Sequence, residues 1–391
     1  MAPQEKKSKL AATMAPGPPP ALPDELVEEI LIRIPPDDPA SLLRASLVCK
    51  SWSEVVSRRG FHRLLHDLHR APPVLGYLHD YEDMPEFIPA TASPFSLAVP
   101  DRRLWQAVDC RHGRALFLSN PKCPYTEELL MWEPITGAQQ RIPVPAAFQS
   151  GRTTAAVFCT ADGCDHCHCH GGPFCVVFVF SVDDEGIREG AVEQEYVTSA
   201  CVYSSDTDAW GEPTLMHGEN CMSFTYYSSV LIGRSLIYFL SDGGLVLEYD
   251  LARHRLIWFD VPHSCSTKDV FDCNLMIAEN GGLGLVEELN PHLQLWSREA
   301  DARWVPGRLI YLQSLSINGA PMDAACPVHV LGFAEGANVI VVTTSAGVFS
   351  IQVQSLHANK VCDETKGCDD FGYGNMIPIV GYYTPVPKLS T

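Results

Sequence analysis

The chain has 391 residues and a formal net charge of −19 at pH 7, and 46% of its residues are hydrophobic. This length predicts one small and one large domain, or two comparable ones, and the composition is that of a chain that folds over most of its length. A net acidic surface repels phosphate backbones and anionic headgroups, so we expect no nucleic-acid partner and no membrane partner.

The 15 cysteines do not indicate a secreted disulfide framework, because their number is odd, the chain is long and its N-terminus lacks an apolar signal core. Reduced thiols in the cytoplasm, the nucleus or both fit better. The longest apolar run, Phe174 to Val182, is about half of the roughly 18 residues that a membrane-spanning helix needs. We interpret it as a buried strand.

Residues 1–20 form a Pro-rich leader that we expect to be disordered. A first helix is predicted to begin near Pro23, because Leu26, Ile30 and Ile34 recur at a spacing that draws one apolar stripe. Proline is tolerated in a first turn, and Pro35 with Pro36 is expected to stop the helix.

A second helix is predicted after Asp38 or Ser41, either of which can cap it, and a third around Trp52 and Val55. We assign residues 21–65 to this three-helix module. Three short helices bury little surface between them. We therefore expect the module to need a partner whose apolar groove covers its remaining apolar side chains.

The region 66–391 is predicted to be one large all-β domain, since runs rich in Val, Ile, Phe, Tyr and Trp alternate there with turn residues. The clearest predicted strands are Ala115 to Ser119, Leu129 to Trp132, Cys175 to Val182, Leu236 to Leu240, Leu245 to Asp250, Leu256 to Phe259 and Asn338 to Thr344. Turns at 242–244 and 345–347 are expected to join adjacent strands into hairpins.

Strand–turn–strand phrases recur loosely at 130–137, 202–210 and 247–251. Their separations suit four-stranded blades with insertions, so we predict a β-propeller of five to seven blades. A pair of β-sandwiches is the alternative. The fold class is thus α+β and multidomain.

The stretch from Leu22 to Leu31, together with the Val48-Cys49-Lys50-Ser51-Trp52 phrase, closely resembles the F-box. This resemblance implies docking on a Skp-type adaptor and, through it, on a cullin and a ubiquitin-charged enzyme. The adaptor contacts carried onto this chain are Leu22, Pro23, Leu26, Ile30, Leu31, Leu42, Val48, Cys49 and Trp52.

The downstream region resembles the F-box-associated β domains of plants, especially grasses. The resemblance rests on the Cys110 to Leu116 stretch, the Trp-x-Pro-x-Thr-Gly phrase that begins at Trp132, and the stretch from Val341 to Ile351. It implies binding of a target protein but identifies neither the target nor the residues that bind it.

Seven Cys and His residues crowd the twelve positions from Cys164 to Cys175. Among them, Cys164, Cys167, His170 and Cys175 are weak candidates for zinc ligands, and only the spacing of Cys164 and Cys167 is typical of a zinc knuckle. Crowding on one Gly-flanked segment keeps all seven from facing one ion. We therefore favour a polar loop and expect no metal and no cofactor.

The sequence contains no Gly-x-Ser-x-Gly elbow, His-Glu-x-x-His pair or P-loop, so hydrolase and nucleotide-binding signatures are missing. The leading hypothesis is a non-catalytic substrate receptor of an SCF-type (Skp, cullin, F-box) ubiquitin ligase. The alternatives are an F-box scaffold that acts outside degradation and a propeller that binds a small molecule or catalyses a reaction.

Overall fold

The structure is a computed structural model that describes residues 22–382, apart from positions 37, 80–86, 91–95, 102, 120–127, 149–151, 165, 167–168, 170, 184–195, 220–221, 225–228, 263–272, 318–319, 322–327, 345 and 363–375. The leader predicted at 1–20 lies outside the described residues. None of the described helices is long and apolar enough to cross a membrane.

The N-terminal part of the described chain is helical, with α1 (Asp24–Leu31), α2 (Pro39–Ser46), α3 (Lys50–Val56) and α4 (Arg59–His69). The first three correspond to the predicted helices, and α1 ends before Pro35 as expected. The three-helix prediction does not include α4. Its residues Phe61, Leu64, Leu65 and Leu68 recur at helical spacing, so the sequence does carry a signal for this helix. Its buried residues are Phe61, His62 and Leu65.

The rest of the described chain consists mainly of antiparallel strands: β1 (Val74–His79), β2 (Phe87–Pro89), β3 (Trp105–Arg111), β4 (Arg114–Ser119), β5 (Glu128–Trp132), β6 (Gln139–Pro143), β7 (Arg152–Cys159), β8 (Phe174–Asp183), β9 (Tyr196–Ser204), β10 (Ala209–Trp210), β11 (Thr214–Gly218), β12 (Ser229–Ile232), β13 (Leu236–Leu240), β14 (Leu245–Asp250), β15 (Arg255–Asp260), β16 (Cys273–Ile277), β17 (Leu283–Glu288), β18 (His292–Arg298), β19 (Trp304–Tyr311), β20 (Ser316–Ile317), β21 (Ala320–Pro321), β22 (His329–Ala334), β23 (Val339–Thr344), β24 (Gly347–Gln352), β25 (Ala358–Cys362) and β26 (Met376–Val380). A short 3₁₀ helix, Leu312–Ser314, follows β19. The predicted strands agree with these to within about one residue at their ends, as is usual for strand assignment.

These strands form a six-bladed β-propeller. Blade 1 contains β2, β1 and β26; blade 2 contains β3 to β6; blade 3 contains β7 to β11; blade 4 contains β12 to β15; blade 5 contains β16 to β19; and blade 6 contains β22 to β25. The hairpin of β20 and β21 lies between blades 5 and 6 in the chain. The prediction of a propeller is confirmed, and the paired sandwiches are wrong.

The ring closes because β26 pairs with β1, so blade 1 takes strands from both ends of the β region. In this register Tyr77 lies opposite Pro378, and Leu78 lies opposite Ile377. The strand β26 also lies beside β22 and β3, the first strands of blades 6 and 2. A closed ring leaves only short sheet edges exposed to solvent.

The core of the propeller lies between blades, so many strands are buried on both faces. The long apolar run that the sequence predicts as a strand is β8, where Val176, Val177, Phe178 and Val179 are each 0% exposed. Alternate side chains of β8 join two clusters, one shared with blade 2 and one shared with blade 4. This double burial explains a continuous rather than alternating apolar pattern.

Candidate functional site

The first helix presents an apolar stripe to solvent. Leu22 is 52% exposed, Leu26 47% and Ile30 50%, although side chains of this kind usually lie inside a folded protein. Leu26 and Ile30, four residues apart, lie on one side of the helix, and Leu22 lies just before its first turn. Pro23, at the start of the helix, is exposed as well.

A second exposed group lies at the turn between α2 and α3. Val48 is 63% exposed, and Cys49 is exposed beside it. Leu47, at 76% exposed, is the most exposed large apolar residue of the described chain, and the predicted adaptor contacts do not include it. The apolar stretch of the second predicted helix includes Leu47 and Val48, whereas α2 ends at Ser46 and leaves both side chains in the exposed turn.

The remaining predicted contacts lie further inside. Leu31 and Leu42 are each 1% exposed and pack with Val55 and Phe61 in the core of the helical module, and Trp52 packs against that core while partly exposed. Sequence periodicity shows which side chains are apolar but not which of two neighbouring stripes is internal. Leu31 and Leu42 offer almost no surface to a partner.

Asp24, the first residue of α1, fixes that helix relative to α3. Its carboxylate accepts hydrogen bonds from the Ser51 hydroxyl and from the Arg58 guanidinium, each at 2.7 Å. These hydrogen bonds hold the pKa of Asp24 below its usual value. The exposed apolar side chains of α1 are thereby presented in a defined orientation.

The helical module packs on one end of the propeller through Tyr382, two residues after β26. Tyr382 is 6% exposed and joins the core cluster of the helices, and its ring meets His66 of α4 edge to face at 5.9 Å. A cavity of about 300 Å³ lies at this junction. Its walls include His66 and the turn between β3 and β4 at His112 and Gly113.

Buried charges tie several blades together near this cavity. The guanidinium of Arg111 contacts the carboxylate of Asp109 at 2.8 Å and that of Glu335 at 2.7 Å, and it donates to the Ser229 carbonyl at 2.9 Å. Asp109 also accepts from the backbone N–H of Val157 at 2.8 Å. Blades 2, 3 and 4 and the turn in blade 6 thus share one polar network.

Burial is the main influence on the acidic members of this network. It raises the pKa of Asp109 and of Glu335, and the nearby positive charge of Arg111 works in the opposite direction. The arginine is therefore what keeps two neighbouring buried carboxylates tolerable. Arg111 and Glu335 also line the cavity, so the network borders it while joining the blades.

Four potential metal ligands lie close together beside this cavity, namely Cys159, Cys164, His166 and Cys169, and the last two of them line it. Of the weak sequence candidates, Cys164 belongs to this group, Cys175 lies outside it on β8, and Cys167 and His170 fall outside the described residues. Cys159 was missed because it ends a strand before the crowded segment begins. Burial and the thiols of Cys159 and Cys164 raise the pKa of Cys169.

Comparison with known families bears directly on this architecture. The F-box domain family matches residues 20–64, and the family described as "F-box protein AT5G49610-like, beta-propeller" matches residues 167–386. The second match covers more than half of the 391 residues. The chain belongs to this plant F-box propeller family.

Other comparisons add little. No curated protein matches the chain. Among solved structures, one described as "Crystal Structure of Mitotic Checkpoint Complex" is similar over 68% of this chain and 73% of that chain, with 10% sequence identity and a TM-score of 0.34. That likeness carries no argument about function.

The family motifs of this F-box propeller have structural roles. In the Cys110 to Leu116 stretch, His112 and Gly113 form the turn between β3 and β4 with φ of 53° and 74°. In the phrase that begins at Trp132, that side chain is 1% exposed, and the Thr136 hydroxyl donates to Glu133 at 2.8 Å. Both phrases therefore shape turns and cores.

Proposed function

We propose that this protein is the substrate-recognition subunit of an SCF-type ubiquitin ligase, with no catalytic chemistry of its own. Its F-box helices bind a Skp-type adaptor, and the adaptor connects them to a cullin. The propeller holds a target protein. The observation that carries this proposal is the exposed apolar stripe of α1 on a helical module that matches the F-box family.

The adaptor surface consists of Leu22, Pro23, Leu26, Ile30, Val48 and Cys49, with Leu47 added to the predicted set. Exposed apolar side chains grouped on short helices are typical of helix-in-groove recognition, in which a partner covers them with an apolar groove. Leu31 and Leu42 support this surface from the core, and Trp52 borders it.

The target is proposed to bind at the propeller end that faces away from the helices. The cavity beside α4 is lined by turns that join first to second strands, at His112 and Gly113 in blade 2 and at Gly336 in blade 6. In an antiparallel blade the turn from the second to the third strand lies at the opposite end. The turns at 241–244 and 289–291 are therefore free of the F-box helices.

Ubiquitin transfer then depends on proximity. A target held on the propeller is brought near a ubiquitin-charged enzyme bound at the far end of the same assembly, and the effective concentration of its lysines rises. All cysteines in the described ranges are free thiols, which supports a reducing compartment, the cytoplasm or the nucleus.

The adaptor surface can be tested with a pair of double variants. Leu26→Ala with Ile30→Ala truncates two exposed side chains of α1, and we expect affinity for a purified Skp-type adaptor to fall by about ten-fold or more for each truncated side chain. Isothermal titration with the full-length chain measures this change. Ubiquitination of proteins that co-purify with the chain then separates a ligase subunit from a scaffold.

The matched control is Leu64→Ala with Leu68→Ala. These residues of α4 are 42% and 51% exposed and are also four positions apart, so the control removes similar apolar surface from the same module. We expect this variant to bind the adaptor as the unchanged protein does. Equal weakening in both variants, or unchanged affinity in the α1 variant, would contradict the proposed surface.

A further inference from the structure

Three thiols and one imidazole meet at the end of β7 and in the loop that follows it. The ligand atoms of Cys159, Cys164, His166 and Cys169 all lie within 4.8 Å of one another. We propose that these four side chains bind one structural zinc ion. Such a site is independent of the F-box and of any target.

The distances within the cluster fit a tetrahedral ion. Cys164 Sγ lies 3.5 Å from Cys169 Sγ, and Cys169 Sγ lies 3.5 Å from His166 Nδ1. With zinc–sulfur bonds of about 2.3 Å and zinc–nitrogen bonds of about 2.0 Å, a tetrahedral site places two sulfurs about 3.8 Å apart and a sulfur and a nitrogen about 3.5 Å apart. Small side-chain movements complete the site.

The chain reverses sharply to bring these ligands together. Gly163 and His166 both have left-handed backbone conformations, with φ of 65° and 59°. A residue other than glycine rarely takes this conformation, and when it does the reason is often functional. Here the turn returns the loop toward Cys159, so that the three loop ligands Cys164, His166 and Cys169 share one centre with the end of the strand.

The side chain of His112 supports two of the four ligands, Cys159 and His166. The ring of His112 stacks on His166 with centroids 3.7 Å apart and an angle of 4° between the planes. Nδ1 of His112 accepts the backbone N–H of Cys159 at 3.1 Å. His112 therefore contacts both the strand ligand and one of the loop ligands of the cluster.

A buried arginine holds the other side of the loop. The guanidinium of Arg114, 1% exposed, donates to the carbonyls of Cys169 and Gly172, the latter at 2.8 Å. Glu133 lies 3.6 Å from Arg114 and accepts the backbone N–H of Gly171 at 2.9 Å. Metal sites usually have outer partners of this kind, which fix the orientation of the ligands.

The ligand set selects the metal and its role. Three thiolates and an imidazole suit zinc, whereas magnesium and calcium prefer oxygen ligands. Four protein ligands leave no open position for water or substrate, so the ion would be structural and not catalytic. It would fasten the 160–173 loop to β7 at the cavity wall beside the F-box helices.

Two positions distinguish this site from the zinc ligands that the sequence alone suggests. Cys159 on β7 and Cys175 on β8 lie almost side by side in one hairpin, since Phe158 pairs with Cys175 and Cys159 pairs with Phe174. Only Cys159 belongs to the four-ligand cluster. Serine substitution at either position removes one thiol from the same ladder and changes little else.

The full-length chain is purified under reducing, chelator-free conditions, and its zinc content is measured by mass spectrometry of the metal. We expect about one zinc per chain, the capacity of one four-ligand site. Cys159→Ser should lower zinc affinity by at least about ten-fold, because even the loss of an outer partner has an effect of that size. Cys175→Ser should retain the metal.

Cobalt provides a second readout on the unchanged protein, in case Cys159→Ser folds poorly. Cobalt(II) in place of zinc should give the intense visible absorption of a tetrahedral ion and a thiolate charge-transfer band. Several results would overturn the proposal: no stoichiometric zinc together with no cobalt spectrum, a Cys164–Cys169 disulfide in the reduced preparation, or loss of zinc from Cys175→Ser with retention in Cys159→Ser.

Discussion

Arg114 shows how one side chain can hold a loop against the core of a propeller. It is 1% exposed, it lies 3.6 Å from the carboxylate of Glu133, and it donates to two backbone carbonyls of the Cys/His loop. Glu133 is itself only 4% exposed. A buried charge that loses its partner is much more costly than an exposed one.

We predict that Arg114→Leu lowers the free energy of unfolding by about 3–5 kcal/mol, because it leaves the Glu133 carboxylate buried without its counter-charge. Urea denaturation followed by tryptophan fluorescence measures the change. Arg303→Leu is the control: its ion pair with Asp301 has side chains 77% and 51% exposed, and such pairs contribute about 0–1 kcal/mol. Similar destabilisation in both variants would show that the buried pair of Arg114 and Glu133 stabilises the fold no more than the exposed pair of Arg303 and Asp301.

At this scale the sequence indicates residue type better than residue role. The nine predicted adaptor contacts include six exposed residues, two core residues and one intermediate one, since an apolar stripe looks the same whether it faces inward or outward. The zinc candidates illustrate another limit of the sequence, which does not show which distant residue folds back onto a crowded segment. Cys159 lies outside the crowded segment, at the end of β7, and the turn at Gly163 and His166 brings Cys164 and Cys169 back beside it.

At the scale of elements, β22 of blade 6 passes close to β26 of blade 1. Gly332 lies at an irregularity in the register of β22, and a Cβ atom added there would stand 2.5 Å from the backbone oxygen of Met376. No real Cβ makes such a contact, and a backbone oxygen in a sheet cannot swing away. The two strands must separate to admit any side chain.

We therefore predict that Gly332→Ala destabilises the propeller by about 1–3 kcal/mol, the usual cost of overpacking a core. Thermal unfolding followed by circular dichroism measures it. Gly60→Ala serves as the comparison, because a Cβ at Gly60 in α4 meets nothing within 4 Å and alanine favours a helix by about 0.5–1 kcal/mol. If Gly332→Ala were as stable as Gly60→Ala, the strands would not be in contact as described.

Elements with a strong period were predictable, and elements that depend on their neighbours were not. The apolar run of β8 and the hairpins of blades 4 and 6 follow from local sequence. The helix α4 also has a local signal, because Phe61, Leu64, Leu65 and Leu68 recur at helical spacing, and the three-helix prediction overlooks it. Which side of α4 is internal depends on its neighbours: Phe61 and Leu65 are buried, whereas Leu64 and Leu68 are exposed.

For the whole molecule, recurring strand phrases were enough to predict a propeller, but not its blade number. The expected range of five to seven includes the observed six. The sequence does not reveal that β26 completes the blade begun by β1, because these strands are about 300 residues apart and their pairing leaves no local signal. Contacts of this length close the ring and fix the geometry of its centre.

The final prediction concerns that centre, where Arg111 joins Asp109 of β3, Ser229 of β12 and Glu335 after β22. Arg111→Leu removes the charge that lowers the pKa values of both carboxyls, which burial already raises. Their folded-state pKa values should rise further above the unfolded values of about 4. The folded variant then holds protons more readily than the unfolded chain does.

A raised folded-state pKa of a carboxyl makes stability fall as pH rises above the unfolded value. We thus expect the deficit of Arg111→Leu relative to the unchanged protein to be larger at about pH 8 than at about pH 5, as measured by urea denaturation at both values. Adding Glu335→Gln removes one of the two buried negative charges and should flatten this dependence. A deficit that stays constant with pH would mean that the loss of Arg111 does not change the protonation of Asp109 and Glu335 between these two pH values, and would contradict this account of the network.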